Sequence, residues 1–428
     1  MKVFKTFFPL LLFAAALLPS AATAQNGTMT PYSQFGYGIL RDNATAAQQA
    51  MGGVGYGMNS GRQINVMNPA SYARVDSITF LFDMGVDMTL LWANEDDGNG
   101  NRLSESNNGG GLNYVTMQFP VGKRMGMSVG LLPYSSVGYA FGNEINNGYS
   151  SRSGSGNINL LYAGVAGRIF QGLTLGVNLS YMFGLTHNDI YAITEEGNYS
   201  LYAKELSVRD FHLDVGLQYT QKINRNDELT LGLVWTPGKN LLGRLKTSAT
   251  DTQTGTVTSE SDIKTADHFS IASSYGIGLN YRHGQTIMAE ADFTYQPWKD
   301  AKYMQYDENG SPVTVKGIFA DRYKIAVGGY YQQTQRGNYF KRIQYRLGGY
   351  YCRDYMVVRQ GSSVNNVREF GVSAGVGLPV PGFKSVVSLG IGWMQRQAYP
   401  TALIKENYLS ITLGVNFNES WFRKSKIY

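Results

Sequence analysis

Four histidines, one cysteine and a handful of acids are what this sequence offers for chemistry. His212 and Asp214 lie two residues apart, which places both side chains on one face of a strand. A serine from a neighbouring strand would complete a nucleophile, base and acid set there. Asp83 with Asp87 and Glu290 with Asp292 are carboxylate pairs of the kind that do general acid–base work. Asp96-Asp97 with Asn99 and Asn101 has the look of a calcium loop but lacks the glutamate at the right distance. Lys324 and Arg346, with Arg342 near a strand end, are cations that a ligand carboxylate would need in a low-dielectric pocket. Cys352 shares the face of Arg346, and nothing marks it as reactive. His187 falls in a predicted loop and His283 in a turn. No Cys/His cluster has metal spacing, and no Gly-rich loop opens a helix in the phosphate-binding pattern. The expectation is therefore no catalytic residue, no metal and no cofactor. The inward acids are expected to hydrogen-bond other parts of the chain or face water. Lys324 and Arg346 are the ligand candidates, with pairing to Asp83, Asp214 or Asp292 as the plainer alternative.

The elements that must carry these residues follow from composition and rhythm. The chain has 428 residues, and it opens with Lys2, Lys5, an apolar run from Phe7 to Leu18 and Ala22-Thr23-Ala24. That pattern predicts a secretory signal peptide over 1–24, cut after Ala24. Gln25 follows the cut, so no lipid-anchored cysteine is expected. Only 16% of residues are charged, against about 25% in an ordinary soluble domain. Glycine numbers 51 and tyrosine 30, and with Cys352 alone no intrachain disulfide can form. Beyond the signal no apolar run is long enough for a membrane-crossing helix. An exported chain of this kind fits a transmembrane β-barrel of a Gram-negative outer membrane. The modest net charge of +6 does not argue for nucleic acid.

A strand with lipid on one side and a wet lumen on the other must alternate apolar and polar residues. The last strand does so: Leu409, Ile411, Leu413, Val415 and Phe417 oppose Tyr408, Ser410, Thr412, Gly414 and Asn416. So does the first, where Ile78, Phe80, Phe82, Met84, Val86, Met88 and Leu90 oppose Thr79, Asp83, Gly85, Asp87 and Thr89. The pattern predicts an all-β antiparallel barrel of fourteen strands over 77–417, with spans 77–92, 110–121, 124–142, 158–169, 172–186, 208–220, 228–236, 267–282, 285–296, 321–333, 341–356, 368–379, 384–396 and 405–417. The connections alternate long and short, as outer loops and periplasmic turns should. Long polar stretches such as Asn94–Gly109, Asn143–Asn157 and His187–Ser207 are predicted loops; Gln171-Gly172 and His283-Gly284 are turns. Trp92, Trp235 and Trp298 fall at predicted outer ends and Trp421 past the periplasmic end, at the depth where aromatic rings anchor in headgroups. Trp393 is expected to face lipid near a turn. Residues 418–428 read as a basic periplasmic tail, Arg423-Lys424-Ser425-Lys426.

Residues 25–76 do not alternate. They hold a helix-prone stretch from Asn43 to Ala50, with Asn43 as the expected N-cap, then Gly52-Gly53-Val54-Gly55-Tyr56-Gly57 and Asn68-Pro69-Ala70-Ser71. Too little charged to be a disordered tail, this segment is expected to plug the wide lumen of a fourteen-stranded barrel. A mobile periplasmic arm is the alternative. Pro133 sits in mid-strand within Leu131-Leu132-Pro133-Tyr134, where it cannot donate to a ladder, so a local break or a bulge is required.

The small-residue stretch Ala46–Gly57 and Asn68-Pro69-Ala70 directly before the first of fourteen strands resemble the FadL family of outer-membrane transporters for hydrophobic compounds. The resemblance implies that residues 25–76 are the hatch, with Gly52, Gly53, Gly55, Asn68, Pro69 and Ala70 as its motif. It also implies that substrates leave sideways through a gap at a kink in the third strand, which Pro133 matches. The function expected is passive uptake of hydrophobic or amphipathic, fatty-acid-like molecules, with a hydrophobic small molecule, outer-membrane lipid and lipopolysaccharide as partners. The rival is a non-transporting structural subunit of an outer-membrane secretion or barrel-assembly complex, with other outer-membrane proteins as partners. A general polar porin and an outer-membrane enzyme are further alternatives.

Overall fold

The computed structural model describes residues 30–76, 79–96, 102–145, 148–194, 199–307, 311–335, 337–361, 363–401 and 404–420. The predicted signal peptide, Trp421 and the basic tail residues Arg423 to Lys426 lie outside them, as do Asp97, Asn99 and Asn101 of the first loop. Fourteen antiparallel strands close into a barrel. They are β1 Thr79–Asp96, β2 Arg102–Pro120, β3 Met125–Ile145, β4 Gly148–Phe170, β5 Leu173–Thr194, β6 Tyr199–Lys222, β7 Asp227–Thr236, β8 Ser274–His283, β9 Ile287–Gln296, β10 Arg322–Tyr331, β11 Gln344–Gln360, β12 Ser363–Pro379, β13 Val386–Tyr399 and β14 Ile404–Ser420. β1 pairs with β14 from Thr79↔Ser420 to Glu95↔Ile404, which removes the free edges of an open sheet.

Two-residue periodicity puts the apolar side chains outside. Met88 and Ile411, register partners, are each nearly half exposed, while Asp83 and Thr412 on the other face are buried. Lipid would cover that outer face, so its exposure marks the membrane-facing wall. Trp92, Trp235 and Trp393 point outward. Trp298 does not: it is 1% exposed, packed among aromatic rings inside the barrel mouth rather than at the headgroups.

The predicted loops are largely strand. β3 and β4 stay paired as far as Ile145↔Gly148, and β5 and β6 as far as Ile193↔Tyr199. A hairpin of 243–251 and 256–264 extends this wall by pairing with β6. Beyond the membrane neither face needs to be greasy, so the apolar alternation stops while the backbone ladder continues. The eighth predicted span is trimmed at its start: Asp267 ends a 3-10 turn, Thr265–Asp267, and a two-residue strand, Ser270–Ile271, precedes β8.

Residues 30–76 fill the lumen. A single helical turn, Ala46–Gln49, is capped by Thr45 rather than Asn43, because the Gln48 side chain turns back to accept from the Thr45 N–H at 2.9 Å. A 3-10 turn, Pro69–Arg74, is capped by Asn68, whose Oδ1 accepts from the Ala70 N–H at 3.0 Å. The plug touches the wall where the wall has no side chains. A Cβ built on Gly328 would stand 2.0 Å from the Met51 carbonyl oxygen, and one on Gly348 2.1 Å from its carbon. Gly52 and Gly53 then turn away with φ of +75° and +77°, a conformation that glycine adopts without strain.

Candidate functional site

Three devices on the wall hold the plug. The first is a carboxylate pair on β9. Asp292 Oδ2 accepts from the N–H groups of Gly55 at 2.7 Å and Tyr56 at 3.0 Å. Glu290 Oε1 accepts from Gly57 at 2.6 Å and Met58 at 3.1 Å, and its Oε2 from Asn280 Nδ2 at 2.7 Å. The glycines leave these backbone donors uncovered, so four consecutive N–H groups of the plug are satisfied by two side chains of the wall.

The second device is ionic. Lys324 Nζ donates to Asp42 Oδ2 at 2.5 Å and lies 4.4 Å over the Tyr350 ring; Arg322 reaches the other Asp42 oxygen at 3.5 Å. Burial pushes the Asp42 carboxyl up, but Lys324 and Arg322 outweigh it and hold it at about 2. The third is a register-matched trio: Glu369 on β12, Arg396 on β13 and Glu406 on β14 stand opposite one another across adjacent strands. Arg396 Nε donates to Glu369 at 2.7 Å, its Nη1 lies 3.6 Å from Glu406, and Glu406 accepts from the plug's Thr30 Oγ1 at 2.5 Å. Each of the three sits on the lumen parity of its own strand, yet only the register brings them together.

Asn68 ties the plug to itself and to the wall. Its Nδ2 donates to the Tyr56 carbonyl at 2.7 Å and its Oδ1 would lie 2.1 Å from a Cβ on Gly216. Pro69 and Ala70 lie against Gly176 of β5. Lys324 and Arg346 both face inward, but they do not form one site. Lys324 stands opposite Cys352 and Arg346 opposite Tyr330, so six residues of β11, roughly 20 Å, separate them. Arg346 donates to Ser388 Oγ and Gln344 Oε1, each at 2.8 Å. Cys352 is buried beside Lys324.

The other sequence candidates are occupied by each other or by their neighbours. Asp83 accepts from Tyr114 at 2.8 Å and Asn416 at 3.1 Å, and Asp87 lies 3.6 Å from Arg41 of the plug. His212 and Asp214 do meet, at 3.3 Å, but Asp214 also accepts from Thr236 at 2.6 Å, and an aromatic ring, Tyr134, packs edge-on against the imidazole. Among the described residues no serine hydroxyl bonds His212, and none of the acids gathers into a metal cage.

Pro133 marks a break in the wall. β2 and β3 pair only from Val115↔Leu131 to Pro120↔Gly126. Above that point β2 continues to pair with β1 but no longer with β3, and the β3–β4 register slips between Pro133 and Ser135. The freed edge of β3 is taken instead by the plug. Ile39 and Leu40 pair with Ser136 and Ser135, Arg41 N–H donates to the Tyr134 carbonyl at 2.9 Å, and Thr30 N–H to that of Gly138 at 2.7 Å. Behind the break lies a cavity of about 240 Å³ walled by Arg41, Asp42, Asp87, Asn107, Lys324 and Arg396. Its lining mixes these paired charges with apolar side chains, among them Leu40, Leu91, Tyr350 and Met394.

The outer mouth is packed shut. Tyr37 of the plug meets Trp298, Phe269, Tyr303 and Phe319 with ring centroids 5.7–6.4 Å apart, and Trp298 meets Tyr355 at 4.6 Å. Tyr355 donates to the Gly38 carbonyl at 2.6 Å and accepts from the Tyr37 N–H at 3.0 Å. The rings come from the long connections 237–273 and 297–321 and from β11, whose aromatic content was legible but whose convergence on Tyr37 was not.

A sequence-family model described as BamG matches residues 4–428. No curated protein matches the sequence. The fold is similar to a Pseudomonas aeruginosa FadL homologue, at 10% identity and TM-score 0.62, covering 89% of this chain and 99% of that one. It is similar to the Pseudomonas putida toluene transporter TodX, at 15% identity and TM-score 0.61, covering 90% and 100%. The CymD monoaromatic hydrocarbon channel matches at 14% identity and TM-score 0.56, covering 90% and 100%. At these identities the likeness is one of fold: a FadL-type outer-membrane barrel.

Proposed function

The chain belongs to the BamG family, related to but distinct from the transporters whose fold it shares, and from that premise we propose that it is a stoppered, non-conducting barrel acting as a structural subunit in outer-membrane protein assembly. The observation that carries this reading is the filled lumen. The plug is bonded to the wall along its length, the outer mouth is closed by a packed aromatic cluster, and the cavity behind the break is small, about 240 Å³, with ion pairs set in its wall. A route for apolar molecules needs a larger pocket, of several hundred cubic ångströms, with few charges in its wall. Long outer strands and a hairpin projecting past the membrane give such a subunit a large partner surface. Extraction in mild detergent and mass measurement tests it: a stable stoichiometric complex with other outer-membrane proteins is expected, and a solitary barrel would overturn it.

A second reading is favoured by one observation, the end of β2–β3 pairing at Val115↔Leu131. Passive uptake of hydrophobic compounds would use that break as a side exit at Pro133, with the hatch residues Gly52–Ala70 rearranging and Lys324 or Arg346 meeting an acidic ligand. The named activities of TodX and CymD lend it weight by fold alone. Uptake of a fluorescent fatty acid by cells carrying the protein, absent from cells without it, would establish this route.

A further inference from the structure

The end of the barrel that carries the short turns and both ends of its wall is the periplasmic one. There, four cations converge around a single acid, Glu228, the register partner of Lys222. Arg124 precedes β3, Arg168 ends the regular part of β4 and Lys222 ends β6; Arg74 comes from the last residue of the plug's 3-10 turn. Arg168 N–H donates to the Arg124 carbonyl at 2.9 Å, which fixes the two strand ends side by side. All four border one cavity of about 710 Å³ at the floor of the plug. Arg168 shares the inward parity of Ala166 and Tyr162, and Lys222 that of Thr220 and Gln218, all buried residues. These side chains therefore aim into the mouth and away from lipid.

None of the four has an ion-pair partner among the described residues. Arg74 Nε is buried without a hydrogen bond, and the acid that faces it, Glu228, is already engaged by Arg282. Like charges held together around a recess repel unless an anion joins them, and guanidinium groups bind carboxylates in two-point fashion. Elsewhere in this lumen buried cations meet acids directly, as Lys324 meets Asp42 and Arg396 meets Glu369.

We propose that this mouth is a binding site for an acidic peptide segment of a periplasmic protein, which lays carboxylates between Arg124, Arg168, Lys222 and Arg74. A peptide fits better than a lipid headgroup, because the plug's Arg74 and the buried, inward-facing Thr174 and Thr220 form part of the recess. A phospholipid anchored in the leaflet approaches the barrel from outside. The proposal goes beyond an assembly role and does not need one.

The test uses the full-length protein in detergent micelles and a fluorescein-labelled hexaglutamate peptide followed by anisotropy. Saturable binding that weakens steeply with salt is expected. R124Q/R168Q should weaken it by about tenfold or more, while R244Q, which alters an outer hairpin pair, should leave it unchanged. The reversal R124E/R168E should exchange the preference, losing hexaglutamate and gaining hexalysine, a result that misfolding cannot produce. No saturable binding, or equal binding to R124Q/R168Q and the parent, overturns the site. Displacement of the peptide by dihexanoylphosphatidylglycerol at lower concentration than by unlabelled hexaglutamate overturns the peptide assignment in favour of a lipid.

Discussion

Gly55 in the plug and Asp292 on β9 are joined by a hydrogen bond of 2.7 Å from backbone amide to carboxylate, although 237 residues separate them in sequence. With Tyr56, Gly57, Met58 and Glu290 it forms a clamp of two carboxylates on four amides. The clamp has measurable consequences. Asp292→Asn replaces a charged acceptor by a neutral one and should weaken the hold by about 1.5–3 kcal/mol. Hydrogen exchange of the Gly55–Met58 amides is expected to quicken by one to two orders of magnitude, with the barrel strands unaffected.

Gly348 should be intolerant of any side chain. A Cβ there meets the Met51 carbonyl carbon at 2.1 Å, and backbone on both sides cannot give way. Gly348→Val is expected to yield a folded barrel with a displaced plug. In planar bilayers the parent should be silent and the variant should conduct, as should a chain lacking 30–76. A conducting parent would count against the stoppered lumen.

Arg396 is the centre of a buried trio. Removing it leaves Glu369 and Glu406 uncompensated, at a cost of about 3–5 kcal/mol. Arg396→Met should lower the thermal midpoint markedly. The triple change R396M/E369L/E406L should restore most of the loss, because an apolar trio of similar volume has no charge to desolvate.

The Asp42 latch should respond to acid. Its folded value of about 2 lies below the usual 3.8, so ionised Asp42 stabilises the closed plug above about pH 4. That contribution falls as pH drops through the window from about 4 to 2, where Asp42 takes up a proton and Lys324 loses its partner. Exchange of plug amides should quicken across that window. In Asp42→Asn the quickening should already be present at neutral pH and show little further change with acid.

The break beside Pro133 is closed from within by Ile39 and Leu40. A disulfide between Leu40→Cys and Ser135→Cys, which are register partners, would lock it. Assembly of other outer-membrane proteins, followed by their heat-modifiable migration, should be unaffected by locking if the barrel is a passive scaffold. If cells take up a fluorescent fatty acid by the side exit, the oxidised lock should stop uptake and reduction restore it.

Much of this molecule could be read from period two alone. Leu409 to Phe417 and Phe80 to Leu90 face outward as their alternation demands, and the fourteen strands follow, because lipid enforces the rhythm residue by residue. The rhythm ends where lipid ends, so Asn143–Asn157 and His187–Ser207 look like loops, while the backbones of their described residues remain largely paired. Trp298 was misplaced for a related reason: an aromatic residue at a strand end suits headgroups or a packed mouth equally well, and only the position of Tyr37 decides. Glu290 and Asp292 were visible as inward acids, but not their partners, since backbone amides carry no sequence signature. The trio of Glu369, Arg396 and Glu406 needed the exact pairing of three strands, which parity does not supply.

The closing pair of strands, β1 with β14, has a consequence for how the molecule is made. The plug precedes β1 in the chain and is gripped by residues of β9, β10 and β14, so it emerges first and its last contacts arrive with the C-terminus. Completion of the ring and of the plug's anchorage therefore both wait on the last strand, through Glu406 and Thr30.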